Sequence, residues 1–229
     1  MSNTTSSLSF LAMAMLTITP LFSASKFVLS EVRVSTYLGL TQSKFNTKED
    51  MKIYFDPAGK ASSLLTPMGG MEGRLRWQNL MISLGGNLER VGQITTSAQV
   101  GFQGNPFPHD LETETWIQYF VVPLQVGFGL AGSRHQVFVR GGVYGALVMD
   151  KKMQWTVDGS SYETFNSPTV YDAENGSIFA LEYALVLGRS KLLLEVLSRR
   201  GISDIAWGLS GSAKLATQTV RLGYGFALH

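Results

Sequence analysis

The chain has 229 residues, enough for one sizeable domain and short for two, with charged residues at 16%, hydrophobic residues at 45% and 24 glycines. An ordinary soluble domain carries roughly 25% charged residues and ~7% glycine, so this composition is poor in charge and rich in glycine. The net charge of only +2 supplies no clustered basic footprint for nucleic acid, and the absence of cysteine excludes disulfide scaffolds, thiolate metal sites, cysteine nucleophiles and a lipidated N-terminal cysteine.

Residues 1–25 read as a secretory signal peptide, with an apolar run from Phe10 to Phe22 followed by the small residues Ser23-Ala24-Ser25. Its n-region lacks Lys and Arg. The remaining 26–229 read as one domain. Beyond the N-terminus no stretch reaches the ~18 apolar residues of a membrane-crossing helix.

From residue 31 the hydrophobic pattern has period two, the mark of strands with two distinct faces. Eight segments follow: Glu31–Thr41, Gly69–Trp77, Leu80–Glu89, Trp116–Leu130, Gln136–Met149, Ser177–Gly188, Lys191–Arg199 and Thr217–Leu228. Lys191–Arg199 also has good helix formers and a glycine at a C-cap position, but its alternating neighbours and the tight turn before it favour a strand. Segments of about ten residues suit tilted transmembrane strands. The connections alternate between short ones (78–79, 131–134, 189–190) and long polar ones (roughly 42–66, 90–113, 150–175 and 200–214). Short turns on one rim and long loops on the other define an all-β, eight-stranded antiparallel up-and-down transmembrane barrel with short periplasmic turns and long extracellular loops.

A soluble barrel would show the same period with its charges facing water. Here one face is almost entirely Val, Leu, Ile and Phe. The other carries Arg33, Arg74, Arg76, Arg140, Arg199 and Arg221 with Glu72, Glu89, Glu182 and Glu195, padded by Gly and Ala. Arginine, whose planar fork takes carboxylates bidentately, suits a narrow and poorly hydrated lumen. The four tryptophans, Trp77, Trp116, Trp155 and Trp207, lie near segment ends or in connections, as interfacial aromatics do.

The run Tyr119–Met149 (YFVVPLQVGFGLAGSRHQVFVRGGVYGALVM) resembles the PorT-like family of small outer-membrane β-barrel proteins of Bacteroidetes-type bacteria. Gly176–Leu187, Arg199-Arg200-Gly201-Ile202 and Val220–Leu228 are similar to the later part of that pattern. The resemblance covers roughly 31–229 and implies outer-membrane localisation, contact with outer-membrane lipid, and a protein partner in secretion or envelope assembly.

Three constellations compete with this reading. Gly127-Phe128-Gly129-Leu130-Ala131-Gly132 has the G-x-G-x-x-G spacing, with Asp150 some 20 residues on, but an alternating segment follows where a dinucleotide site needs a helix; it reads as a barrel turn. The His109-Asp110 pair and a loop serine would suit an outer-membrane hydrolase or acyltransferase, without a matching motif. Asp172, Glu174 and Asn175 lack calcium-loop spacing, and Asn175-Gly176 reads as a turn. No cofactor, metal or catalytic set is therefore expected. The leading function is a non-enzymatic outer-membrane barrel whose loops or periplasmic rim engage another macromolecule, with a small porin-like pore as the alternative. Counting from the periplasmic rim places Glu182 and Glu195 opposite each other, in one layer with Glu72, Arg140 and Arg221. Two facing carboxylates repel, so Arg140 and Arg221 are expected to bridge them.

Overall fold

Strands with one apolar and one polar face can satisfy every backbone group in lipid only by closing into a cylinder. The computed structural model describes residues 29–47, 60–98, 101–102, 105–106, 110–157, 160–165, 172–203, 205–207 and 211–228; the expected signal peptide and His109 lie outside the described residues. Among the described residues twelve strands form: β1 (Glu31–Thr47), β2 (Lys60–Trp77), β3 (Leu80–Ala98), β4 (Gly101–Phe102), β5 (Asn105–Pro106), β6 (Asp110–Ala131), β7 (His135–Val157), β8 (Ser160–Phe165), β9 (Ala173–Leu187), β10 (Ser190–Gly201), β11 (Ile205–Trp207) and β12 (Gly211–Ala227). The eight long ones, β1, β2, β3, β6, β7, β9, β10 and β12, pair antiparallel in chain order, and β12 pairs back onto β1. The fold is a closed, all-antiparallel eight-stranded barrel, and no helix occurs among the described residues.

The ladder fixes the stagger. Stepping through Cα partners from Val34 to Gly73, Leu84, Leu124, Val143, Ser177, Arg200 and Ala216 returns to β1 at Lys44, ten residues above the start. An eight-stranded barrel with such a stagger has strands tilted by about 35–45° and a bore that side chains can fill. Lys191–Arg199 lies within β10, a strand, because half its residues face a barrel interior that a helix could not share with β9 and β12.

The strands overrun the sequence expectation. Most of 90–98, 110–113 and 150–157, expected as loop, continues β3, β6 and β7, so those three reach 19, 22 and 23 residues. β8 folds back on β7, and β11 pairs β12. Backbone pairing continues because hydrogen bonds still need partners above the membrane, where alternation no longer reveals them. β9 and β10 stop at 15 and 12 residues, so the extracellular end is a wall on one side and low on the other. Asn175-Gly176 lies inside β9 rather than in a turn, and Gly127 and Gly129 lie inside β6, with the turn itself at 132–134.

At the other rim the connections are tight. The β9–β10 turn is Gly188-Arg189, one residue earlier than expected, with Gly188 at φ 67°; Gln78 takes φ 54° in the β2–β3 turn. A proline inside β6 is tolerated because the β3–β6 ladder is interrupted there: Leu84 partners Leu124 and Asn87 partners Val121, leaving Gly85 and Gly86 opposite Pro123 and Val122.

Outward positions are apolar from the tight-turn rim upward for about ten residues, a belt of about 25 Å at this tilt. Leu38, Leu222, Phe128, Val139, Phe179 and Val196 are among these exposed side chains. No soluble protein leaves such a continuous apolar girdle in water. Tyr183 and Tyr224 sit low on this face, their hydroxyls 2.6 Å from His135 Nδ1 and 2.5 Å from Ser190 Oγ. They and Phe226 supply much of the periplasmic aromatic girdle, alongside Trp77 at the end of β2. Trp116 faces outward at the extracellular side, with Arg90 4.1 Å and Lys152 5.2 Å from its ring centre.

Candidate functional site: the charged lumen

The ten lumen residues fall at three heights because alternate residues of tilted strands step up the bore. The middle layer is the densest. β9 and β10 set Glu182 directly opposite Glu195, and β2 contributes Glu72. All three carboxylates are buried, Glu182 and Glu195 with 0% exposure. Each touches three guanidiniums. Glu182 is paired with Arg33 (3.1 Å), Arg74 and Arg140 (3.4 Å). Glu195 is paired with Arg140, Arg221 (2.7 Å) and Arg74 (3.6 Å). Glu72 takes Arg74, Arg140 (2.6 Å) and Arg221 (3.0 Å).

Arg140 thus spans all three carboxylates, while Arg221 bridges Glu195 and Glu72 without reaching Glu182. The cation beside Glu182 that counting along strands passed over is Arg74, because Arg33 and Arg74 are cross-strand partners one step nearer the periplasm. Tyr37 belongs to the same layer: Arg74 donates to its hydroxyl, and Arg221 lies 3.9 Å over its ring.

The lower layer forms at the periplasmic rim. Glu31 meets Lys191 (2.6 Å), Arg76 (3.3 Å) and Arg33 (3.7 Å), and Lys191 also donates to Gln136. Arg76 is only partly buried and belongs to this mouth rather than to the core. Glu31 and Lys191 stand at segment ends, where parity alone marks them as inward. The upper layer joins Glu89 to Arg199, whose guanidinium lies 4.7 Å over Tyr144, and Tyr144 donates to Glu174 at 2.5 Å. Glu174, which the sequence groups with Asp172 and Asn175 in an acidic cluster, therefore points into the barrel, whereas those two are exposed.

Between and above these charges the lumen is apolar. Phe45, Val91, Ile117, Val121, Leu197 and Leu215 pack into one buried cluster on the extracellular side. The interior is consequently a layered core, where the sequence suggested a face mostly of charge. Small residues make room for it: a Cβ on Gly127 would stand 2.5 Å from Arg140 Cγ, and one on Gly223 the same distance from the Tyr37 ring. Each of the three middle-layer carboxylates is surrounded by fixed guanidiniums, so the arrangement locks strands to one another, while Arg33 Nε, Arg140 Nε and both amide atoms of Gln125 stay buried without a hydrogen-bond partner. No cluster of three potential metal-ligating side chains occurs among the described residues.

A closed barrel with an apolar belt outside and buried ion pairs inside is an integral outer-membrane β-barrel protein. No protein-family model matches the sequence, and no curated protein matches it. Solved structures of similar overall form include Ail, the attachment invasion locus protein of Yersinia pestis (12% identity, 86% of this chain and 99% of that one, TM-score 0.41). OprG of Pseudomonas aeruginosa shares 12% identity over 88% of this chain and 97% of its own, with TM-score 0.47. The outer membrane protease OmpT of Escherichia coli shares 9% over 90% and 99%, also with TM-score 0.47.

Proposed function

We propose that the protein is a non-enzymatic outer-membrane barrel that holds its extracellular wall out to another macromolecule, as an accessory to secretion or envelope assembly. The observation that carries this reading is the division of labour in the structure. The bore is packed with ion pairs and aliphatic side chains, which leaves the rims for interaction. β3, β6 and β7 run to 19, 22 and 23 residues, about twice what a tilted strand needs to cross a membrane. The secretion role comes from the resemblance to the PorT-like family, and the envelope site is consistent with it. The filled lumen counts against a porin-like pore.

The test is in-cell photocross-linking from Thr96 and Glu112, exposed residues paired with each other high on the wall. One discrete adduct at both positions, absent when the cross-linker replaces membrane-embedded Leu222, is expected. The absence of any adduct at either wall position would overturn the reading.

A further inference from the structure

The outward face is not uniform where the apolar belt ends. On β10, β12 and β1 three cations surround one small residue. Arg200 and Lys44 are both Cα partners of Ala216, one from each neighbouring strand, and Lys214 stands two residues further up β12. Adjacent strands lie about 4.8 Å apart, so the three charges gather within about 10 Å around a depression left by Ala216. All three side chains are exposed, and no ion pair joins any of them to a described carboxylate. The cations on the opposite side differ: Arg90 and Lys152 are stacked against Trp116, and Lys152 lies 3.9 Å from Asp150.

Directly beneath the three cations, one outward step down, sits a polar row in which Gln218 is the Cα partner of both Gln42 and Ser198. One step lower, Val220 is the partner of both Leu40 and Val196, all about half exposed. Reading from extracellular to periplasmic, the surface therefore runs cation, amide and hydroxyl, aliphatic. That is the cross-section of a lipid whose phosphates sit above polar linkages and acyl chains. We propose that this face binds a phosphorylated multi-acyl lipid of the outer leaflet, with Arg200, Lys44 and Lys214 holding its phosphates, the Gln42–Gln218–Ser198 row its linkages, and the aliphatic rows its chains. The inference rests on the outer-membrane location and not on the wall having a partner.

Native mass spectrometry of the folded, detergent-solubilised protein tests it, with diphosphoryl hexa-acyl lipid A as the probe. One lipid is expected to remain bound, and its affinity should fall at least about tenfold in the combined Lys44→Gln, Arg200→Gln, Lys214→Gln variant. The Arg90→Gln, Lys152→Gln variant should bind as the parent does. Wild-type protein should hold the fully dephosphorylated lipid at least about tenfold more weakly, which keeps the test alive should the triple variant fold poorly. Equal binding of the dephosphorylated lipid, undiminished binding by the folded triple variant, or displacement of the lipid by millimolar inorganic phosphate would each overturn the proposal, the last by showing a site for free anions.

Discussion

At the scale of single residues, Arg140 shows what a guanidinium can do that a lysine cannot. Its planar fork reaches Glu72, Glu182 and Glu195 together, with Ser83 Oγ accepting a further hydrogen bond at 3.2 Å. A buried ion pair adds little over a well-packed apolar pair, but stranding one partner is costly. Arg140→Met should therefore destabilise the barrel by about 3–5 kcal/mol, read as a lower denaturant midpoint for unfolding in detergent micelles. A midpoint unchanged from the parent would show that Arg33, Arg74 and Arg221 neutralise the three carboxylates without it. Much of this layer was legible from counting positions along hairpins, because register in a tight-turned barrel follows from the turns. The role of Arg74 was not legible. Its reach to Glu182 and Glu195 depends on strand tilt, which shifts each neighbour's height and is invisible to a count made along one strand at a time.

At the scale of elements, the tight turns and the long strands obey different constraints. Gln78 occupies a left-handed backbone position that a Cβ disfavours, in a turn where its amide donates to Ser30 Oγ at 3.0 Å. The equivalent turn between β9 and β10 uses Gly188. Gln78→Gly should relieve the strain and stabilise the fold by about 0.5–1 kcal/mol, seen as a higher denaturant midpoint for unfolding in detergent micelles. A loss of stability would mean that the Gln78 side chain contributes more than its backbone costs. The far ends of the strands read as loops in the sequence for a related reason. Above the belt the outward face meets water, its residues turn polar (Gln118 and Glu114 on β6, Lys152 on β7), and the period-two signal fades although the pairing continues.

At the scale of the whole molecule, the bore is narrow enough for side chains from opposite walls to meet, as Arg74 of β2 meets Glu182 of β9. Three charge layers and a buried cluster of aliphatic and aromatic side chains then obstruct it at successive heights. Purified protein in planar bilayers should show no stable conductance, and Arg140→Ala should not open a lasting channel while Phe45, Leu197 and Leu215 remain packed above it. Reproducible open-channel steps from the parent protein would refute the filled lumen.

Composition and period determined the class of this protein from the sequence alone. Low charge, abundant glycine and eight alternating segments with charges confined to one face admit few architectures other than a membrane barrel, since lipid demands a closed ladder and an apolar outer surface. Which lumen groups touch, and where the bore is apolar, was decided only by the tertiary structure. Closure with a ten-residue stagger sets the relative height of residues from all eight strands, and it brings Lys44, from the far end of the chain, beside Ala216 together with Arg200 and Lys214. That stagger is a property of the closed ring of hydrogen bonds, and no single segment of the chain contains it.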